Sequence, residues 1–68
     1  MTLQEFARDN PHRKLILLWF GLEDDLKTDY CYANKLSKKA KKMLDWEVMD
    51  TSTFDEEDWI EVWLKENK

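Results

Sequence analysis

The stretch Trp59-Ile60-Glu61-Val62-Trp63-Leu64 decides the fold, because it can be read with either of two periods. On a helical period Trp59, Ile60, Trp63 and Leu64 share a face. Ser52 or Thr53, followed by Asp55, Glu56 and Glu57, would then start the helix with acids in its first turn. On a period of two, Ile60, Val62 and Leu64 line one side and Trp59, Glu61 and Trp63 the other. The β-branched and aromatic content favours the strand, and a strand over Trp59–Lys65 is the reading adopted.

Working back from it, 51–58 reads as a polar loop and 46–50 as a strand. Leu36, Ala40, Met43 and Leu44 recur at helical spacing, which predicts a short amphipathic helix over 35–44. Lys14–Phe20 is continuously apolar from Leu15 onward and shorter than a typical helix, so it reads as a strand covered on both faces. The sole glycine, Gly21, opens a turn over 21–25. A strand over 27–33 then has Tyr30 and Tyr32 on one face and Cys31 on the other, completing an antiparallel hairpin. At the start, Thr2-Leu3-Gln4-Glu5 has the form of a capping box, and Leu3, Phe6 and Ala7 share a helical face. Asn10-Pro11 closes that helix, since a residue before proline is pushed out of the helical region.

The expected fold class is therefore α+β in the order α-β-β-α-β-β, one domain over 1–68. It has an N-terminal helix and an antiparallel sheet of three to four strands, with a short lysine-rich helix between two hairpins.

Composition sets the margins. A chain of 68 residues supports one small domain, and a single core of that size yields about 3–5 kcal/mol of stability. With 43% hydrophobic residues and four tryptophans, the chain is too apolar for disorder. At least two of those tryptophans are expected in the core, where each large ring buries roughly 150–250 Å². Cys31 is the only cysteine, which excludes an internal disulfide and points to a reducing, cytoplasmic compartment. The longest apolar run, 15–20, falls far short of the roughly 20 residues a membrane span needs. The start lacks the basic and apolar regions of an export signal, so a soluble protein is expected.

Little here suggests chemistry. His12, the one histidine, sits at a helix–strand junction beside Pro11 and Arg13, where an exposed ring is expected. Cys31 in a strand reads as a small buried hydrophobe. No nucleophile elbow or glycine-rich oxyanion loop is present, so no catalytic residue is assigned and the chain is read as a non-enzyme. Acids 23–25 and 55–58 are consecutive rather than alternating, and neither run has the glycine of a calcium loop. Zinc would need Cys/His clusters that are missing, and one glycine cannot build a phosphate loop. Neither metal nor cofactor is expected.

The net charge of −4 hides a division into blocks. Lys35, Lys38, Lys39, Lys41 and Lys42 run without an intervening acid, whereas 43–64 carries acids and no base. The lysines could contact phosphates as point charges, but a solvated helix face explains them more simply. No arginine or aromatic lies inside the run to read bases. Asp55, Glu56, Glu57, Asp58 and Glu61 could imitate a nucleic-acid backbone towards a basic groove or merely maintain solubility.

The aromatics point further. If both helices cover one face of the sheet, the other shows Trp, Tyr and Leu to water, a patch that marks a dimer or partner surface. One helix on each face, or a helical C-terminus, would bury the same rings instead.

The layout of Thr2-Leu3-Gln4-Glu5-Phe6, an apolar strand, Leu44-Asp45-Trp46-Glu47-Val48 and the alternating Ile60-Glu61-Val62 resembles small proteins encoded by phages and prophages of Gram-positive bacteria, mostly of unassigned function. The resemblance covers most of the chain through short motifs. It implies a compact α+β domain from a pool that includes inhibitors of host defence or host enzymes. No functional residue carries over, and the lysine run and the Trp59/Trp63 pair lie outside the pattern. The expectation is a small acidic protein-binding module, a phage accessory protein that inhibits a host factor in the host cytoplasm by surface contact. Trp59, Trp63, Asp55, Glu56, Glu57, Asp58 and Glu61 would meet a protein partner. The alternatives are a nucleic-acid binder using the lysine run and a structural homo-oligomer, with a homodimer pairing through the aromatic sheet face.

Overall fold

The computed structural model describes residues 1–53 and 58–66. Thr2 caps helix α1 (Leu3–Asp9) as a full capping box. Its Oγ1 accepts from the Glu5 amide at 3.3 Å, while the Glu5 carboxylate accepts from the Thr2 amide at 3.0 Å. The bond from the Thr2 amide foremost, with a second from the Thr2 hydroxyl at 3.2 Å, holds the exposed Glu5 carboxyl below its usual pKa. The next free amides of the helix, on Leu3 and Gln4, donate to the carbonyls of Trp46 and Leu44, each at 3.0 Å. The helix end is thereby fixed to the segment that leads into the third strand. Asn10 closes the helix, its amide donating to Ala7 and its side chain to the Phe6 carbonyl.

Strands β1 (Lys14–Phe20) and β2 (Leu26–Tyr32) form the expected antiparallel hairpin. In its turn Asp24 adopts a left-handed φ of 59°, and a Cβ at Gly21 would stand 2.6 Å from the Asp25 carboxylate, so glycine makes room for that side chain. Asp25 pairs with Lys27 at 2.7 Å, which lowers the carboxyl pKa.

The lysine-rich helix is shorter than expected. Helix α2 covers only Lys38–Lys41. Upstream, a bridge between Tyr32 and Lys35 holds the chain in a turn, and Ser37 caps the helix. Downstream, Lys42 and Met43 hydrogen-bond three residues back rather than four. Lysines three and four apart repel, and no acid stands in the first turn to offset them.

Strand β3 (Glu47–Thr53) runs further than expected, taking in part of the predicted loop, with a bulge between Val48 and Asp50 that projects Met49 into solvent. Strand β4 (Trp59–Lys65) has the bounds read from its alternation. The element order is α-β-β-α-β-β.

The sheet corrects one expectation. Its strand order is β2-β1-β4-β3, and the central pair β1–β4 is parallel, so the sheet is mixed rather than antiparallel. The cause is the crossover through 33–46, which returns the chain to the end where β2 began. Strand β3 must then run in the same direction as β2, and β4 in the same direction as β1. The two most apolar strands thereby become central, where both edges are hydrogen-bonded.

Both helices lie on the same face. Leu3, Phe6 and Ala7 of α1 and Ala40 and Met43 around α2 join Leu15, Leu17, Ile60, Val62 and Leu64 in one core cluster. Trp19 and Trp46 pack against it from the rim, ring edge to ring face, with centroids 6.1 Å apart. The expectation of at least two tryptophans in the core is met only in part, since no tryptophan is fully buried and these two reach the core as partly buried rings. The expected covering of β1 on both faces is thus corrected: one face carries the helices, and on the other Phe20 is exposed.

Two consequences can be measured. The Ser37 hydroxyl accepts from the Ala40 amide at 3.1 Å and donates to the Asp29 carboxylate, tying α2 to β2. Ser37→Ala should cost about 1–2 kcal/mol through the lost cap and the carboxylate left without its donor. A urea midpoint within error of wild type would contradict this. Cys31 is buried beside that contact, and burial pushes its thiol pKa up. A raised folded pKa means the unfolded chain loses its thiol proton first, so stability is full below about pH 8.5 and falls as pH rises beyond it. Cys31→Ala should remove that alkaline loss, and melts at pH 8 and 10 test it.

Candidate functional site

Alternation along each strand sorts the sheet into two faces. On the face without helices, β1 presents Lys14, Ile16, Leu18 and Phe20, and β4 presents Trp59, Glu61, Trp63 and Lys65. Their register puts Lys14 beside Trp59, Ile16 beside Glu61 and Leu18 beside Trp63. Across the β1–β2 ladder Tyr32 adjoins Lys14 and Tyr30 adjoins Ile16. On the other side Asp50 adjoins Trp63 and Ser52 adjoins Glu61. The result is an apolar, aromatic field with Glu61 inside it.

The rings are ordered by one another. Phe20 stacks on Trp63, with centroids 6.1 Å apart and planes at 27°. Tyr30 meets Trp59 edge-on at 5.7 Å, and the Lys14 ammonium stands 5.6 Å from the Trp59 ring centroid, a cation–π distance. Leu18 is buried although no helix covers it, and its strand neighbour Trp63 supplies part of that shelter. Phe20, Tyr30 and Tyr32 remain 60%, 61% and 50% exposed, whereas Trp59 and Trp63 are half-buried. Exposed aromatics of this number on one face exceed what scattered surface hydrophobics explain.

Of the residues predicted to meet a partner, Trp59, Glu61 and Trp63 come together at the centre of this face. Asp58 is exposed at the start of β4, and its carbonyl accepts from the Lys14 amide at 3.3 Å. Asp55, Glu56 and Glu57 lie outside the described residues. Sequence reasoning left out Phe20, Ile16 and Lys14. The signal was available in the parity of β1, whose even-numbered positions share the face that Tyr30 and Tyr32 occupy on β2.

Lys35, Lys38, Lys39, Lys41 and Lys42 are all exposed. Lys38, Lys39, Lys41 and Lys42 belong to α2 and its C-cap, on the helical side of the sheet and away from Trp59 and Trp63. Only Lys35 reaches the aromatic region, at the rim of an open groove with Tyr30, Tyr32, Leu36 and Trp59. Among the described residues there is no group of His, Cys, Asp and Glu placed to hold a metal ion. Nor is any described helix long and apolar enough to cross a membrane. Compared with protein-family models, curated proteins and solved structures, the chain matches none.

Proposed function

We propose that this chain is a protein-binding module that acts by surface contact rather than catalysis, with the helix-free face of the sheet as its docking surface. The observation that carries the reading is the placement of both described helices on one face, which leaves Phe20, Tyr30 and Tyr32 exposed and Trp59 and Trp63 half-buried on the other. Tyr and Trp supply large contact area at low entropic cost and are the usual anchors of interfaces. Trp59 and Trp63 are the anchors here, pre-ordered by Tyr30 and Phe20. The resemblance to phage-encoded proteins supplies a role for such a module: an accessory protein that occupies the surface of a host factor in the host cytoplasm.

A nucleic-acid reading is weaker. It needs the lysines and the stacking rings on one surface, and of the five lysines only Lys35 stands beside the rings.

Light scattering on a sizing column over a wide dilution series tests the reading first, with a monomer expected. A dimer that persists on dilution would give the face to a second copy and end the proposal. A photo-crosslinking residue at Tyr30 should then capture a protein partner that the same residue at the exposed Gln4, on α1, does not. Capture from Gln4 alone would place the docking surface on the helical side instead.

A further inference from the structure

Several acids of this chain have partners. Glu5 accepts from Thr2, Asp25 pairs with Lys27, Asp29 accepts from Ser37, and Glu47 pairs with the terminal amine of Met1. Glu61 differs. It is half-buried at the centre of the open face, between Trp59 and Trp63 along β4 and between Ile16 and Ser52 across the sheet. No hydrogen bond or ion pair joins its carboxylate to another described residue. Water must therefore satisfy it. Any occupant that dries the face removes that water, and a carboxylate stripped of it without a replacement donor carries a large penalty.

That penalty selects the occupant. We infer that the protein partner places an arginine side chain over Glu61, between the rings of Trp59 and Trp63; this rests on the docking reading above and names the chemistry it requires. Successive same-face residues on a strand stand roughly 6.6 Å apart, so each indole is one step from the carboxylate. A guanidinium there donates two parallel N–H bonds to Glu61 while its flat faces meet aromatic surface. An ammonium is a compact, strongly hydrated point charge and satisfies only the first requirement. Trp59 already accepts a cation over its ring, that of Lys14. Phosphates of a nucleic acid would bring negative charge onto Glu61. A second copy would bring another chain of net charge −4 and its own unpaired Glu61.

The test is a selection of displayed random dodecapeptides on the immobilised full chain, run in parallel on wild type, Glu61→Gln and Trp63→Ala. Peptides selected on wild type should be enriched several-fold in arginine flanked by apolar residues. A representative peptide should bind Glu61→Gln about 10-fold more weakly, and should lose a similar factor when its arginine is replaced by citrulline. Trp63→Ala should not retain it.

Glu61→Gln should melt at or above the wild-type temperature, because nothing in the fold uses the charge. A clear fall in melting temperature would make Glu61 a structural group and overturn the inference. Equal selection on wild type and Glu61→Gln, without arginine enrichment but with loss on Trp63→Ala, would overturn the arginine site and leave the docking face standing. Peptides that bind Trp63→Ala as well as wild type would overturn both. So would displacement of every peptide by a single-stranded oligonucleotide, or a persistent dimer.

Discussion

Leu17→Ala should leave a large fraction of the molecules unfolded at 25 °C. Leu17 is fully buried on the helical face of β1, beside its parallel-register partner Val62, which is also fully buried. Removing a buried leucine side chain to alanine costs about 2–5 kcal/mol, the lost transfer energy plus that of the cavity. A single core of this size holds about 3–5 kcal/mol in total, so the substitution removes most or all of it. Far-UV circular dichroism and tryptophan emission should show a reduced folded signal before any urea is added. Leu22, 94% exposed in the hairpin turn, is the control, and Leu22→Ala should lie within about 0.5 kcal/mol of wild type. Equal midpoints for the two variants would mean that the parallel β1–β4 centre is not the core.

Trp63→Ala should weaken partner binding by about 30-fold or more, the effect of losing an interface anchor worth about 2 kcal/mol. It will not be silent in stability. Trp63 stacks on Phe20 and helps to shelter Leu18, and a half-buried ring should cost about 1–2 kcal/mol, below the roughly 3–5 kcal/mol of a fully buried one. The chain should remain folded. Thr2→Ala provides the matched comparison, since losing the cap of α1 costs about 1 kcal/mol from the helical side of the sheet. If binding tracks stability alone, both variants lose it equally. If Trp63 is an anchor, binding falls in Trp63→Ala and is unchanged in Thr2→Ala.

What could be read in advance follows from where each kind of information resides. The capping box, the apolar run of β1 and the alternation of β4 are local patterns, and α1, β1 and β4 stand within a residue of where those patterns put them. Helix α2 was overextended because apolar spacing alone ignores repulsion among Lys35, Lys38, Lys39, Lys41 and Lys42 and the cap at Ser37. The bulge at Met49, which lets β3 run on to Thr53, leaves no mark in a two-residue period. The parallel β1–β4 pairing was not legible because no local pattern says which strand lies next to which. It depends on the direction in which 33–46 carries the chain. The open face was legible only as a condition: the tryptophans' side of β4 was clear, but not which side α1 and α2 would take.

The parallel pair at the centre also sets the order of events in folding. Lys14 and Trp59 are register neighbours, yet about two thirds of the chain lies between them. The β1–β2 hairpin can close early and locally, but the contacts that bury Leu15 and Leu17 wait for β4 to arrive from far along the sequence. Closing so long a loop precedes any reward from those contacts, which slows folding relative to a purely local hairpin meander of the same length. Until β4 docks, β1 has one apolar edge unpaired, and a nascent or partly folded chain offers that edge to any other strand. Crowded or rapid synthesis should therefore bring aggregation in this protein well before its folded state is at risk.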